Sequence, residues 1–305
     1  MNLEGILFFP VTPFDRDGAV DHAALASHIG AGLEHGPGGV FAACGTGEIH
    51  ALSNAEQAAV VRTAVETAGG RVPVVAGAGG SLPTVVEQAR AAHEAGAEGV
   101  LLLPPYLVGA PQRGLVDYVR EVTRAVRLPV IVYQRSTMAL SVESAAEIAA
   151  LPGVVGIKDG IGDLDRMRQI VLAVRGRVAG PFTFFNGLPT AELTVHAYQG
   201  IGVDLYSSAA FAFVPEVATA FYRAWRAGDP LAEELLDAFY RPLAALRDRT
   251  PGYAVSLVKT GLRIRGTDVG PVRPPFVEPS EAEAAELERI IGRGLELAAA
   301  GEGRT

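Results

Sequence analysis

Eight short apolar runs rich in β-branched residues alternate with longer amphipathic stretches over the first two-thirds of the chain. This alternation belongs to a parallel α/β sheet: a strand covered on both faces is apolar throughout, whereas each connecting helix needs one apolar face. The runs predict strands near 5–11, 39–44, 72–77, 99–103, 129–134, 153–158, 181–185 and 202–207. Eight similar βα intervals favour closure into a (β/α)8 barrel over an open doubly wound sheet.

The punctuation agrees. Gly36-Pro37-Gly38-Gly39, Gly96-Ala97-Glu98-Gly99 and Gly200-Ile201-Gly202 each stop a helix and launch a strand, and Pro73 and Pro129 stand at strand starts, where a missing N–H costs least. Beyond the last strand, 210–249 and 280–300 read as helices, broken at Asp229-Pro230, with a Gly/Pro-rich loop from Gly266 to Pro279. The expected organisation is a barrel over 1–225 and a helical extension over 226–305.

Charge and composition narrow the partners. A net charge of -8 argues against a nucleic-acid surface, and no apolar run reaches the roughly 20 residues of a membrane span. The amino end has no basic segment before Ile6-Leu7-Phe8-Phe9, so it reads as a first strand and not a signal peptide. Cys44 is the single cysteine; no internal disulfide can form, and a cytoplasmic location is expected.

Lysine is scarce. Only Lys158 and Lys259 occur among the 26 Lys+Arg, so a retained lysine suggests a task that an always-protonated guanidinium cannot perform. In a parallel barrel, chemistry gathers at the carboxyl ends of strands. Lys158 ends the apolar run Val154-Val155-Gly156-Ile157, where desolvation would free a neutral amine to attack a ketone. The ordinary alternative is a rim lysine paired with Asp159. Tyr133 ends the neighbouring strand and is placed as a proton shuttle, its phenol drawn down by a nearby cation; the ordinary alternative is a core aromatic.

Gly45-Thr46-Gly47 offers exposed N–H groups and a hydroxyl ahead of a helix expected from Ser53, a cradle for a carboxylate, with Glu48 tying the loop to its surroundings. His50 lies just past it and is a candidate for the substrate's distal end. Tyr106 ends strand 4, Arg135 follows Tyr133, Asn186-Gly187 end strand 7, and Ser207 belongs to strand 8. Cys44 has no histidine nearby in sequence and reads as a small buried residue. The six histidines lack ligand spacing, and Gly77-Ala78-Gly79-Gly80 is not a dinucleotide fingerprint, so neither a metal nor a cofactor is expected.

The strand-2 Gly-Thr-Gly-Glu, the strand-5 Tyr and the strand-6 Gly-Ile-Lys-Asp-Gly resemble the dihydrodipicolinate synthase and N-acetylneuraminate lyase superfamily. Within it, further segments are similar to the 5-dehydro-4-deoxyglucarate dehydratase branch. They include Phe8-Phe9-Pro10-Val11-Thr12-Pro13-Phe14, Leu103-Pro104-Pro105-Tyr106-Leu107, Asn186-Gly187-Leu188-Pro189-Thr190-Ala191-Glu192, Tyr206-Ser207-Ser208, Gly252 to Lys259 and Gly270 to Pro275. The resemblance runs from about residue 3 to 292.

It implies a metal-free decarboxylating dehydratase acting on a keto sugar acid and assembled as a homo-oligomer, a dimer or tetramer. Lys158 would form the imine, Tyr133 would move protons, Thr46 with Gly47 would hold the carboxylate, and Ser207 with Asn186 and Gly187 would line the pocket. Lys259 would be structural or interfacial. Two departures stand out: Gly45 replaces one of the synthases' paired threonines, and Ser136-Thr137 stand where the branch is expected to carry an Asp-Asn-like pair. A pyruvate-dependent aldolase and a non-catalytic keto-acid binder are the competing readings.

Overall fold

In the computed structural model, which describes residues 1, 3–105 and 108–302, eight parallel strands close a barrel in sequence order. They are β1 (Leu7–Phe8), β2 (Gly39–Ala42), β3 (Val74–Gly80), β4 (Gly99–Pro105), β5 (Val130–Gln134), β6 (Val154–Asp159), β7 (Thr183–Asn186) and β8 (Leu205–Ser208). The ring shuts where Leu7 and Phe8 pair with Ser207 and Ser208. Each predicted run carries one strand, with differences at the ends. β1 uses two residues of the predicted 5–11, since Pro10 lacks the N–H that further pairing would need. β3 and β4 run two or three residues past their predicted ends. Tyr106 and Leu107 lie outside the described residues.

The period-2 alternation of strand side chains builds two cores. Leu7, Phe41, Val75, Leu101, Ile131 and Phe185 point inward and fill the barrel, with Phe9, Cys44 and Tyr133 in the same cluster. Phe8, Val40, Val74, Val100 and Val130 belong to the larger core beneath the helices. The helices are α1 (His22–Leu33), α2 (Asn54–Ala68), α3 (Leu82–Glu94), α4 (Gln112–Ala125), α5 (Val142–Ala149), α6 (Leu164–Arg177), α7 (Val195–Gly200) and α8 (Pro215–Ala227). Ser53 caps α2 in a full capping box with Glu56, which satisfies otherwise orphaned N–H groups at the helix start.

After Asp229-Pro230 come α9 (Leu231–Leu235), a π-helical turn over Leu236–Tyr240, α10 (Arg241–Arg247), α11 (Tyr253–Ile264) and α12 (Glu281–Glu302). The α11 helix was not assigned from sequence as a helix. Nine of its twelve residues are buried, and because these include Ser256, Lys259 and Thr260, its polar positions do not mark an outward face. The Gly/Pro-rich loop lies between α11 and α12, and α12 packs along α8 and α11. The expected boundary at 225 falls inside the last turn of α8. No described helix is long and apolar enough to cross a membrane.

Candidate active site

Register places the central pair. Tyr133 on β5 is the Cα partner of Lys158 on β6, and Lys158 is in turn the partner of Phe185 on β7. The Lys158 side chain rises through the barrel interior until Nζ lies 4.2 Å from the ring centroid of Phe9, 4.5 Å from Tyr133 and 5.5 Å from Phe185. The residue is 5% exposed, and no described carboxylate reaches ion-pair distance of it. Burial therefore dominates and pushes the amine down to about 7.

Asp159 is not its partner. Successive strand residues face opposite sides, and Asp159 points away to accept hydrogen bonds from Gln134 Nε2 (2.8 Å), Ile161 N (3.1 Å) and the Tyr198 hydroxyl.

Two glycines make room for this pair. A β-carbon at Gly187 would lie 2.4 Å from Lys158 Cε, and one at Gly160 would lie 2.8 Å from Tyr133 Cε2 and 2.9 Å from its hydroxyl. The second glycine of Gly-Ile-Lys-Asp-Gly thus serves the tyrosine one strand away. Gly156, the first, avoids the Thr183 carbonyl, 2.7 Å from where its β-carbon would be.

The Tyr133 hydroxyl donates to the Gly187 carbonyl at 3.0 Å and accepts from Arg135 Nη1 at 3.4 Å. Here the charge argument from sequence is corrected. Burial raises the phenol pKa, and the Arg135 guanidinium only opposes that rise; Lys158 is not what draws it down. Cys44, beneath the same cluster, is buried and its thiol is pushed up to about 12, so it stays protonated.

The cradle loop follows β2. Thr46 lines the cavity, and neither its hydroxyl nor its N–H has a protein partner among the described residues. Gly45 is exposed beside it. Gly47 is buried behind, its carbonyl accepting from the Thr12 hydroxyl at 2.7 Å, so it shapes the turn without lining the cavity. The described non-glycine residues with positive φ are Ala43 (50°), Glu48 (56°), Ser136 (49°) and Thr190 (51°). All four lie just past the carboxyl ends of β2, β5 or β7. Backbone strain of this kind persists where surrounding structure enforces it, commonly at functional sites.

These groups surround a cavity of about 360 Å³. Phe9, Leu101 and Tyr133, members of the barrel-interior cluster, form its floor with Lys158; Thr46, Arg135, Gly187, Ser207 and the buried Val255 also line it, and the exposed His50 and half-buried Phe276 stand at its rim. Ser207 Oγ bonds the Asn186 carbonyl at 3.4 Å. Asn186 itself does not line the cavity. Its amide is fully buried, donating to Ala191 O and Thr194 Oγ1 and accepting from Leu188 N, so it shapes the turn that carries Gly187. Ser136 and Thr137 are also outside the lining, and Thr137 Oγ1 bonds the Pro105 carbonyl instead.

Sequence reasoning missed Val255 and Phe276, which come from the helical extension. Val255 falls inside the Gly252–Lys259 segment, which was noted without a placement at the cavity, and Phe276 directly follows the Gly270–Pro275 segment without being part of it. A larger open cleft of about 590 Å³ lies between Phe14 and the 268–271 loop. Most of its charged residues are already engaged: Asp15, Asp21 and Asp268 accept backbone N–H groups, and Arg263 pairs with Glu278.

A model of the Dihydrodipicolinate synthetase family matches residues 2–293. The chain belongs to the dihydrodipicolinate synthetase family. It is 54% identical over 302 residues to a Streptomyces coelicolor protein named "Probable 5-dehydro-4-deoxyglucarate dehydratase 1", covering 98% of this chain and 96% of that one. A Variovorax paradoxus relative named "Probable 5-dehydro-4-deoxyglucarate dehydratase" is 42% identical, with 94% of each chain covered. Among solved structures of the family, dihydrodipicolinate synthase from Bacillus clausii superposes with a TM-score of 0.87 at 26% identity, covering 95% of this chain and 97% of the other. YagE from Escherichia coli K12, solved in complex with pyruvate, gives 0.85 at 26% identity over 95% and 98%.

Proposed function

We propose that the protein is a hydro-lyase that converts 5-dehydro-4-deoxyglucarate to 2,5-dioxopentanoate, carbon dioxide and water through an imine on Lys158. The observation that carries the reading is Lys158: a buried amine without a carboxylate partner, pushed down to about 7 and facing a cavity beside a tyrosine. Near neutral pH a large share of such an amine is neutral and nucleophilic. The named relatives supply the substrate.

Lys158 Nζ attacks the ketone, and loss of water gives the iminium. Thr46, with its free hydroxyl and N–H, receives the adjacent carboxylate. The positive nitrogen acidifies the neighbouring CH2; Tyr133 relays that proton, and the resulting enamine expels the β-hydroxyl as water. The conjugated iminium that remains accepts the electron pair released when the distal carboxylate leaves as carbon dioxide. Protonation and tautomerisation give the aldehyde, and hydrolysis frees Lys158. Arg135, on the cavity side and bonded to Tyr133, favours the phenolate that such a relay passes through. Ser207 and Gly187 complete the walls around the bound carbon chain.

Incubation with authentic 5-dehydro-4-deoxyglucarate tests this directly. One carbon dioxide and one 2,5-dioxopentanoate per substrate are expected, with a borohydride-stable adduct at Lys158; free pyruvate as product would make the protein an aldolase instead.

We also assign the chain to the cytoplasm as a homo-oligomer, a dimer or tetramer. Cys44 is the single cysteine, so no internal disulfide can form, which supports the first part, and the family resemblance supports the second. The barrel over 1–225 and the extension over 226–305 act as one catalytic unit in this reading, because both contribute to the cavity.

A further inference from the structure

Lys259, the second of the two lysines, is as buried as the first but is partnered. Its Nζ lies 2.7 Å from Glu48 Oε1, and both side chains are 0% exposed. Nζ also donates to the Pro271 carbonyl at 2.8 Å and stands 4.1 Å from the Phe14 ring centroid. The other oxygen of Glu48, Oε2, accepts from the backbone N–H of Arg273 at 2.9 Å. The Arg273 guanidinium reaches Ala51 O (2.7 Å), Gly18 O (2.6 Å) and Glu56 Oε1 (2.6 Å). The loop that carries Thr46 and His50 is thereby bound to the loop that carries Phe276. His50 and Phe276 meet edge to face, with centroids 4.4 Å apart, and both line the cavity.

Stability alone is a weak reason for such a pair. Desolvating two charges offsets most of their attraction, and well-packed apolar residues of similar volume often serve as well or better. What an ion pair does supply is register, because each charge must find the other. Glu48 holds a left-handed φ of 56° in this arrangement, so its backbone is constrained too. Gly252 adds a steric limit: a β-carbon there would lie 2.7 Å from the Phe276 ring.

We propose that Glu48 and Lys259 are positioning residues that hold the His50–Phe276 wall in place, and that this wall sets the length of keto acid the cavity accepts. The inference rests on the imine reading, which fixes one end of the substrate at Lys158 and leaves its distal end towards the rim. Neither Glu48 nor Lys259 lines the cavity, so they act through His50 and Phe276.

The test compares 5-dehydro-4-deoxyglucarate with its homologue longer by one hydroxymethine, using carbon dioxide release by the full-length protein. The native protein is expected to favour the shorter acid by about 100-fold in kcat/KM, the scale on which a wall rejects one extra carbon. Phe276→Ala should narrow that preference by about 10-fold or more. The double variant Glu48→Gln/Lys259→Met removes both charges while nearly keeping shape. It should fold, raise KM for the shorter acid by about 10-fold with a smaller change in kcat, and narrow the preference as Phe276→Ala does.

A folded double variant with native KM and native preference would overturn the positioning role, and a Phe276→Ala protein with native preference would overturn the length role. Should the double variant not fold, Lys259→Met in a Glu48→Leu background provides an apolar replacement read by the same ratio, and Phe276→Ala decides the wall independently. Borohydride trapping of the native protein with 5-dehydro-4-deoxyglucarate is the separate arm. Absence of an adduct at Lys158 removes the imine reading, while the ratio of turnover on the two acids still decides the wall.

Discussion

Gly187 packs so closely on Lys158 that a β-carbon there would lie 2.4 Å from the lysine's Cε. The lysine would have to leave its path through the barrel, since its other side is filled by Phe9, Tyr133 and Phe185. Gly187→Ala is therefore expected to fold and to lower kcat by about 100-fold, the scale for misplacing a reacting group by about an ångström. Stopped-time borohydride trapping should show the adduct forming slowly; native rates of trapping would contradict the close fit.

Lys158→Met should abolish the adduct and lower kcat by at least about 1,000-fold, and Lys158→Arg should not rescue it, because a guanidinium stays protonated. The same Lys158→Met change should stabilise the protein. With the folded amine at about 7 against 10.5 unfolded, the unfolded chain binds the extra proton between those values, so native stability rises with pH across that window. Below it the full burial cost is present. Denaturant unfolding should thus show Lys158→Met more stable at pH 7 by on the order of a few kcal/mol, with the gap shrinking towards pH 10.

Tyr133→Phe keeps the aromatic packing and removes the relay, so kcat should fall by about 100- to 1,000-fold with little change in stability. Arg135 opposes the burial that raises the phenol. Replacing it with methionine should move the alkaline limb of the kcat profile to higher pH. A profile unchanged in Arg135→Met would separate the guanidinium from the tyrosine's titration.

Much of this was legible beforehand. The strand count and the carboxyl-end rule were enough to bring Lys158, Tyr133, Thr46 and Ser207 to one mouth, because a barrel's topology converts sequence order into neighbourhood. Three things were not. Asn186 and Gly47 come from the right neighbourhoods, but the Asn186 amide is spent on the turn that follows β7 and the Gly47 backbone is buried behind its loop, placements that strand ends do not encode. The Tyr133 pKa depends on burial outweighing charge, which needs the packed structure. Phe276 reaches the rim by a contact between segments more than two hundred residues apart, and no local pattern announces such a contact.

Glu192 gives a stability test away from the cavity. It is 1% exposed; Oε1 accepts from Ser208 Oγ at 2.5 Å, and Oε2 has no partner among the described residues. Burial raises its carboxyl to about 7 from 4.5. The folded state therefore binds the extra proton between those values, and native stability falls as pH rises through them. Glu192→Gln should be more stable than the native protein at pH 8, by on the order of 2 kcal/mol, and should match it near pH 4. Equal stability at both pH values would place the carboxylate in a better-solvated setting.

The bond from Arg273 N to Glu48 Oε2 spans 225 residues. Synthesis runs from amino to carboxyl end, so the cradle loop emerges before six of the eight strands, with a carboxylate that has nowhere dry to go. Its partners, Lys259 and the Arg273 amide, emerge only after all eight strands have been made. Every strand of the barrel is therefore available for pairing while Glu48 still waits for its cation, and completion of the rim follows completion of the barrel's own sequence.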